Sequence, residues 1–169
     1  MSKPLLGDAF GHHVWATIRL IDACLALEPT QLEATVPGTY GPIIDTMRHL
    51  VGADCGYLFA LTGGRTAEIE EDAMDLAALR AVMETNGTEW AALVAQDIDP
   101  ETDVVRHRDD GTDSHAPAGI RYAQVIHHGT DHRSQICTGL TSLGIAPPEI
   151  DVWDFADSQG RLTVTEAAS

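Results

Sequence analysis

The sequence predicts an all-α fold: a four-helix bundle with a short β-hairpin or irregular loop between the third and fourth helices. Three observations predict it. Four stretches carry apolar residues at helical spacing. Proline or glycine bounds those stretches, at Pro29, Gly63, Gly64, Pro100 and Gly144. The length of 169 residues suits one domain, 1–169, with a core over about 5–145 and a tail over 146–169 that packs on it.

The first helix is expected over 5–27, where Val14, Ile18, Ile21 and Leu25 recur on one face and Pro29 ends the run. A turn-like segment follows through Pro37, Gly38, Thr39, Tyr40, Gly41 and Pro42. Pro42 suits the first turn of a second helix, where a missing N–H costs nothing, and that helix stops at Gly63–Gly64 after Leu61. An acidic stretch over 68–75 leads into a third helix over 76–95, its carboxylates favoured by the positive end of the helix dipole. Residues 102–108 suit a short strand, and Asp110–Gly111 is a turn signal. The fourth helix begins at Ala118 or Gly119 and reaches about Leu143, with Gly144 as its C-terminal cap and Pro147–Pro148 preventing continuation. Trp153 and Phe155 in the tail are candidates to pack back on the body.

Composition excludes several classes of function. Net charge is −16, with one lysine, Lys3, and no basic stripe, so nucleic-acid phosphates and anionic lipids are repelled. No apolar run is long enough to span a bilayer, and the N-terminal residues lack a signal core. The three cysteines, Cys24, Cys55 and Cys137, are odd in number and far apart. This argues against a disulfide framework or a thiolate zinc site and for buried thiols in a reducing, cytoplasmic setting. There is no glycine-rich phosphate loop, no G-x-S-x-G elbow and no H-E-x-x-H.

The histidines carry the chemistry. His128 and His132, in the run HGTDHR, lie four residues apart and so share one face of the fourth helix. Such pairs also arise in ordinary helices. Gly129 between them adds weight, because glycine in a helix interior costs about 1 kcal/mol relative to alanine and implies a close approach by another element. His49 in the second helix is flanked on its face by the small residues Thr46, Gly52, Ala53 and Gly56, which leave space for a helix crossing or a cavity. Three imidazoles leave one coordination position of a divalent metal open, the pattern of catalytic rather than structural sites. His127 points about 100° away from His128, and Asp131 is likewise off the ligand face. Asp45 is either an acceptor for the His49 ring or a solvated residue; Asp131 is expected to be exposed or to contact Arg133. His12 and His13 are expected on the polar face of the first helix, with His13 conceivable as a fourth ligand. His107 and His115 are expected to be solvated. Arg133 suits either a carboxylate or phosphate ligand or a salt bridge within the bundle.

Three segments together resemble the DinB/YfiT-like family. GTYGPIIDTMRHL (38–50) is similar to that family's loop and helix ending in a first metal-binding histidine. VIHHGTDHRSQI (125–136) resembles its H-x-x-x-H-R-x-Q segment, and LGIAPPEIDVWDF (143–155) its tail. Asp131 stands where a further histidine is frequent and Ser134 where glycine is frequent; neither is a ligand position. The resemblance implies up-down-down-up connectivity, a homodimer, and zinc or nickel held by His49, His128 and His132. It also implies a low-molecular-weight thiol cosubstrate, mycothiol or bacillithiol, in S-transfer or isomerisation of electrophilic small molecules. The arginine-rich, lysine-poor composition fits a high-GC genome and favours mycothiol. A metal-dependent hydrolase and a non-catalytic, stress-associated metal-binding bundle are the rival readings.

Overall fold

The computed structural model describes residues 6–108 and 110–165. The expected start at Leu5, and the ends of the tail and of the 1–169 span, lie outside them. The fold is mostly helical with one small two-stranded antiparallel sheet. Four long helices dominate: α1 (Gly7–Cys24), α3 (Ile43–Leu61), α4 (Leu76–Val94) and α5 (Ala118–Ser142). Two short ones, α2 (Pro29–Leu32) and α6 (Val152–Ser158), lie between α1 and α3 and after α5.

Two expectations about the first helix change. α1 ends at Cys24 rather than near Leu27, and Pro29 opens α2 instead of merely stopping α1. The reason is local: proline fits the first helical position, and Glu28 and Gln31 cap one another's backbone N–H groups in a capping box. The other helix ends fall within about a residue of expectation. Pro42 is the N-cap of α3, and Gly63 and Gly64 adopt the positive φ that closes it. The Asp75 carboxylate accepts a bond from the Ala78 N–H at the start of α4. A single 3-10 turn, Glu71–Ala73, lies in the acidic stretch before α4.

The β excursion is a hairpin, with β1 (Asp103–His107) paired to β2 (Asp113–Pro117) so that Val104 faces Ala116. Gly111 supplies the left-handed residue of its turn. The Arg121 guanidinium on α5 donates to the carbonyls of Val104 and Ser114, tying both strands to the helix.

Apolar faces of the four long helices form two clusters. One contains Leu20, Ile21, Met47, Leu50, Val51, Leu79, Met83, Ile136 and Leu140; the other contains Phe10, Leu58, Trp90, Leu93, Tyr122 and Val125. Each fully buried aliphatic side chain contributes roughly 1.5–3 kcal/mol relative to exposure. Between the clusters, each helix buries a polar residue: His13 and Thr17 on α1, Asp54 on α3, Asn86 on α4 and Arg133 on α5. The tail packs on α1 through Phe155, whose ring lies against Gly11 and Trp15. His12 donates from Nε2 to the carbonyl of Ile150 at 2.8 Å. Trp153, the other residue expected to pack, is 69 % exposed because it lies on the outer side of α6. No helix among the described residues is long and apolar enough to cross a membrane.

Candidate metal centre

α3 and α5 pack side by side and bring three imidazoles together. The Nε2 atoms of His49 and His128 face each other at 3.2 Å. The ring of His132 is 4.3 Å from that of His128 and 4.9 Å from that of His49, centroid to centroid. One ligand atom from each of the three lies within 4.8 Å of the others, and this is the one group of three or more metal-ligating side chains among the described residues. The i, i+4 spacing on α5 supplies two of them, and only the crossing of α3 supplies the third.

The surroundings favour uncharged, ligand-ready rings. Burial pushes His128 down to about 4, helped by the neighbouring His132 and His49. His132 is lowered too, first by burial and then by His49. At neutral pH both rings keep a free lone pair. Nδ1 of His132 is buried and has no hydrogen-bond partner. Three close imidazoles and an orphaned ring nitrogen are a poor arrangement by themselves and a suitable donor set for a divalent metal. In the metal-free protein, stability is therefore expected to fall as pH drops from about 6.5 towards about 4. Across that window the unfolded chain binds the His128 proton and the folded one does not, so stability rises with pH. Thermal unfolding at pH 7.5, 6 and 5 reads this out, and His128→Asn should remove part of the slope.

Sequence reasoning did not single out the residues that frame the triad. Tyr40 stacks face to face on His49 at 4.3 Å, 6° from parallel, and meets His132 edge-on. Its backbone N–H donates to Oε1 of Gln135, at 2.8 Å, so the glutamine of the H-x-x-x-H-R-x-Q segment ties the Tyr40 loop to α5. Tyr57 meets the His128 ring edge-on. The carboxylate near His49 is Glu71 and not Asp45. Glu71 Oε1 stands 3.8 Å from His49 Nδ1, whereas Asp45 pairs with Arg48 at 3.1 Å. Asp45 is one turn earlier on the solvent side, while the 3-10 turn lays Glu71 across α3 at Gly52. A Cβ on Gly52 would overlap the Glu71 carboxylate in this position, so the glycine lets Glu71 lie close over α3. His49 and His128 open onto a cleft of about 530 Å³, bordered by Gly52, Gly56, Glu71 and Arg106.

The remaining histidines separate cleanly from the triad. His127 lines an apolar hollow on another side of α5. His107 and His115 are exposed and paired with Asp113 and Asp103 across the hairpin. Asp131 is exposed, one of its two expected settings, and accepts from Gln135 rather than from Arg133. His13 overturns the expectation of a polar-face residue: it is 1 % exposed. It is not a fourth ligand either, because Asp54 and Arg133 occupy its two ring nitrogens. The polar-face expectation failed because burial of a polar side chain depends on partners from other helices.

The family model described as the DinB family matches residues 1–167. The chain belongs to the DinB family. No curated protein matches it. DinB membership and a group of three histidines that could hold a metal ion together suggest a divalent metal.

Proposed function

We propose that this DinB chain is a divalent-metal-dependent enzyme that uses a low-molecular-weight thiol of the mycothiol type in S-transfer or isomerisation of electrophilic small molecules. The observation that carries the reading is a set of three imidazoles, two of which border an open cleft of about 530 Å³. Such a set holds a metal and leaves room beside it for another molecule. The ion is proposed as zinc, with nickel as the alternative, since imidazole nitrogen suits both. A divalent ion supplies the positive charge that lowers the pKa of a thiol presented to it.

The chain's own residues do the rest. His49, His128 and His132 hold the ion, and burial of the two α5 histidines keeps them neutral. The Tyr40 ring covers one face of His49 and the edge of His132, excluding water there. Glu71, beside His49, is placed to take up a proton at the cleft. The same carboxylate supports the second reading, a metal-dependent hydrolase with Glu71 as general base. A closed metal-carrying site loses its support, because His13 is engaged elsewhere. One domain with up-down-down-up connectivity, a homodimer and a cytoplasmic setting belong to the same proposal; sedimentation tests the dimer.

Metal-loaded protein should conjugate thiols to monochlorobimane well above the metal-free control. Mycothiol is expected to serve better than bacillithiol. No metal-dependent rate with any thiol, alongside hydrolysis of simple esters lost in Glu71→Gln, would replace the first reading with the second.

A further inference from the structure

The run HGTDHR contains two i, i+4 pairs. His128 and His132 form the first. Gly129 and Arg133, about 100° around the helix, form the second, and it faces the core. Nη1 of Arg133 donates to Nδ1 of His13 on α1 at 3.0 Å and to Oγ1 of Thr17 at 3.2 Å. Gly129 admits this contact: a Cβ there would stand 2.5 Å from the His13 ring and 2.9 Å from the guanidinium. Arginine can only donate, so Nδ1 of His13 is the bare nitrogen and the ring proton is on Nε2. That N–H donates to Oδ1 of Asp54 on α3 at 2.9 Å. Asn86 and Trp90 of α4 complete the carboxylate's shell, at 2.7 Å to Oδ2 and 3.0 Å to Oδ2 respectively.

The bridge Arg133–His13–Asp54 thus starts on the helix carrying His128 and His132 and ends on the helix carrying His49. Arg133 follows a ligand directly, and Asp54 lies on the same helix as His49, five residues on. Arg133, His128 and His132 lie on the same helix, so a rotation of α5 about its axis would move all three together. We propose that Arg133, His13 and Asp54 are positioning residues for the metal site. They fix the rotation and spacing of α3 and α5 so that three imidazoles converge. The bridge touches neither metal nor substrate. Its role rests on the proposed metal site.

The test uses cobalt(II) alone as the probe, with affinity from competition titration and geometry from the visible absorption spectrum. His13→Asn keeps an acceptor for Arg133 but cannot reach Asp54. His13→Gln places an amide at the Nε2 position, where it can donate to Asp54. His13→Asn is expected to weaken cobalt binding about 10- to 100-fold, the scale of outer-shell losses, and to shift the spectrum; His13→Gln should recover much of both. If His13→Asn does not fold, Arg133→Lys carries the same test, since one ammonium cannot hold His13 and both flanking threonines as the fork does. Wild-type affinity and spectrum in a folded His13→Asn or Arg133→Lys protein would overturn the positioning role, as would equal losses in His13→Asn and His13→Gln. Absence of cobalt binding by the wild type would instead remove the metal site itself, so the two failures are distinguishable.

Discussion

His128→Ala is expected to lower divalent-metal affinity more than about 100-fold and leave the purified protein essentially metal-free. Loss of an outer-shell partner alone typically costs about 10- to 100-fold, and His128 is proposed as one of three direct ligands. The fold should survive. His128 contributes a ring whose nearest polar neighbour is another histidine, and the substitution relieves three crowded imidazoles. His49→Ala should behave alike, because the site spans two helices and neither half suffices. Metal analysis by mass spectrometry, with circular dichroism to confirm folding, reads the result. Unchanged metal content in a folded His128→Ala protein would remove the three-histidine site.

Asp54→Ala is expected to have the largest effect on stability, about 3–5 kcal/mol in the metal-free protein. It deletes the anion that balances Arg133 across the His13 ring. It also strands three buried donors, Nε2–H of His13, Nε1–H of Trp90 and Nδ2–H of Asn86. Burial already holds the Arg133 guanidinium down to about 10, and Asp54 is the charge that opposes this shift. Native domains are stable by only 5–15 kcal/mol, so the loss is a large share of the total. Urea unfolding measures it. A loss below about 1 kcal/mol would show that the polar layer is not held by this carboxylate. Asp54→Asn, which keeps the shape, should lose less.

The helices were legible because their signals are local. Apolar spacing, Pro42, Asp75, Gly63–Gly64 and Gly144 act through residues within a turn or two, and those elements form nearly where expected. Where the first helix was misjudged, Pro29 carried two opposed local meanings, stop and start, and the Glu28–Gln31 box decided between them. The pairing of His128 with His132 was legible for the same reason, being a property of one helical turn.

Tertiary structure decided the rest. Phe10 and Ala16 share the buried face of α1 with His13, but the partners of its ring are 41 and 120 residues away, and only together do they offset the cost of desolvating it. Glu71 reaches His49 because a 3-10 turn crosses α3 at a glycine, and Tyr40 because Gln135 holds its loop from another helix. By itself the sequence determined four amphipathic helices and two histidines on one face of the last. Which side chains meet across those helices, and hence the third histidine's contact, the frame of the cleft and the polar bridge beneath it, was decided by packing. Contact and desolvation energies depend on distances between segments remote in sequence, and those distances exist only in the folded chain.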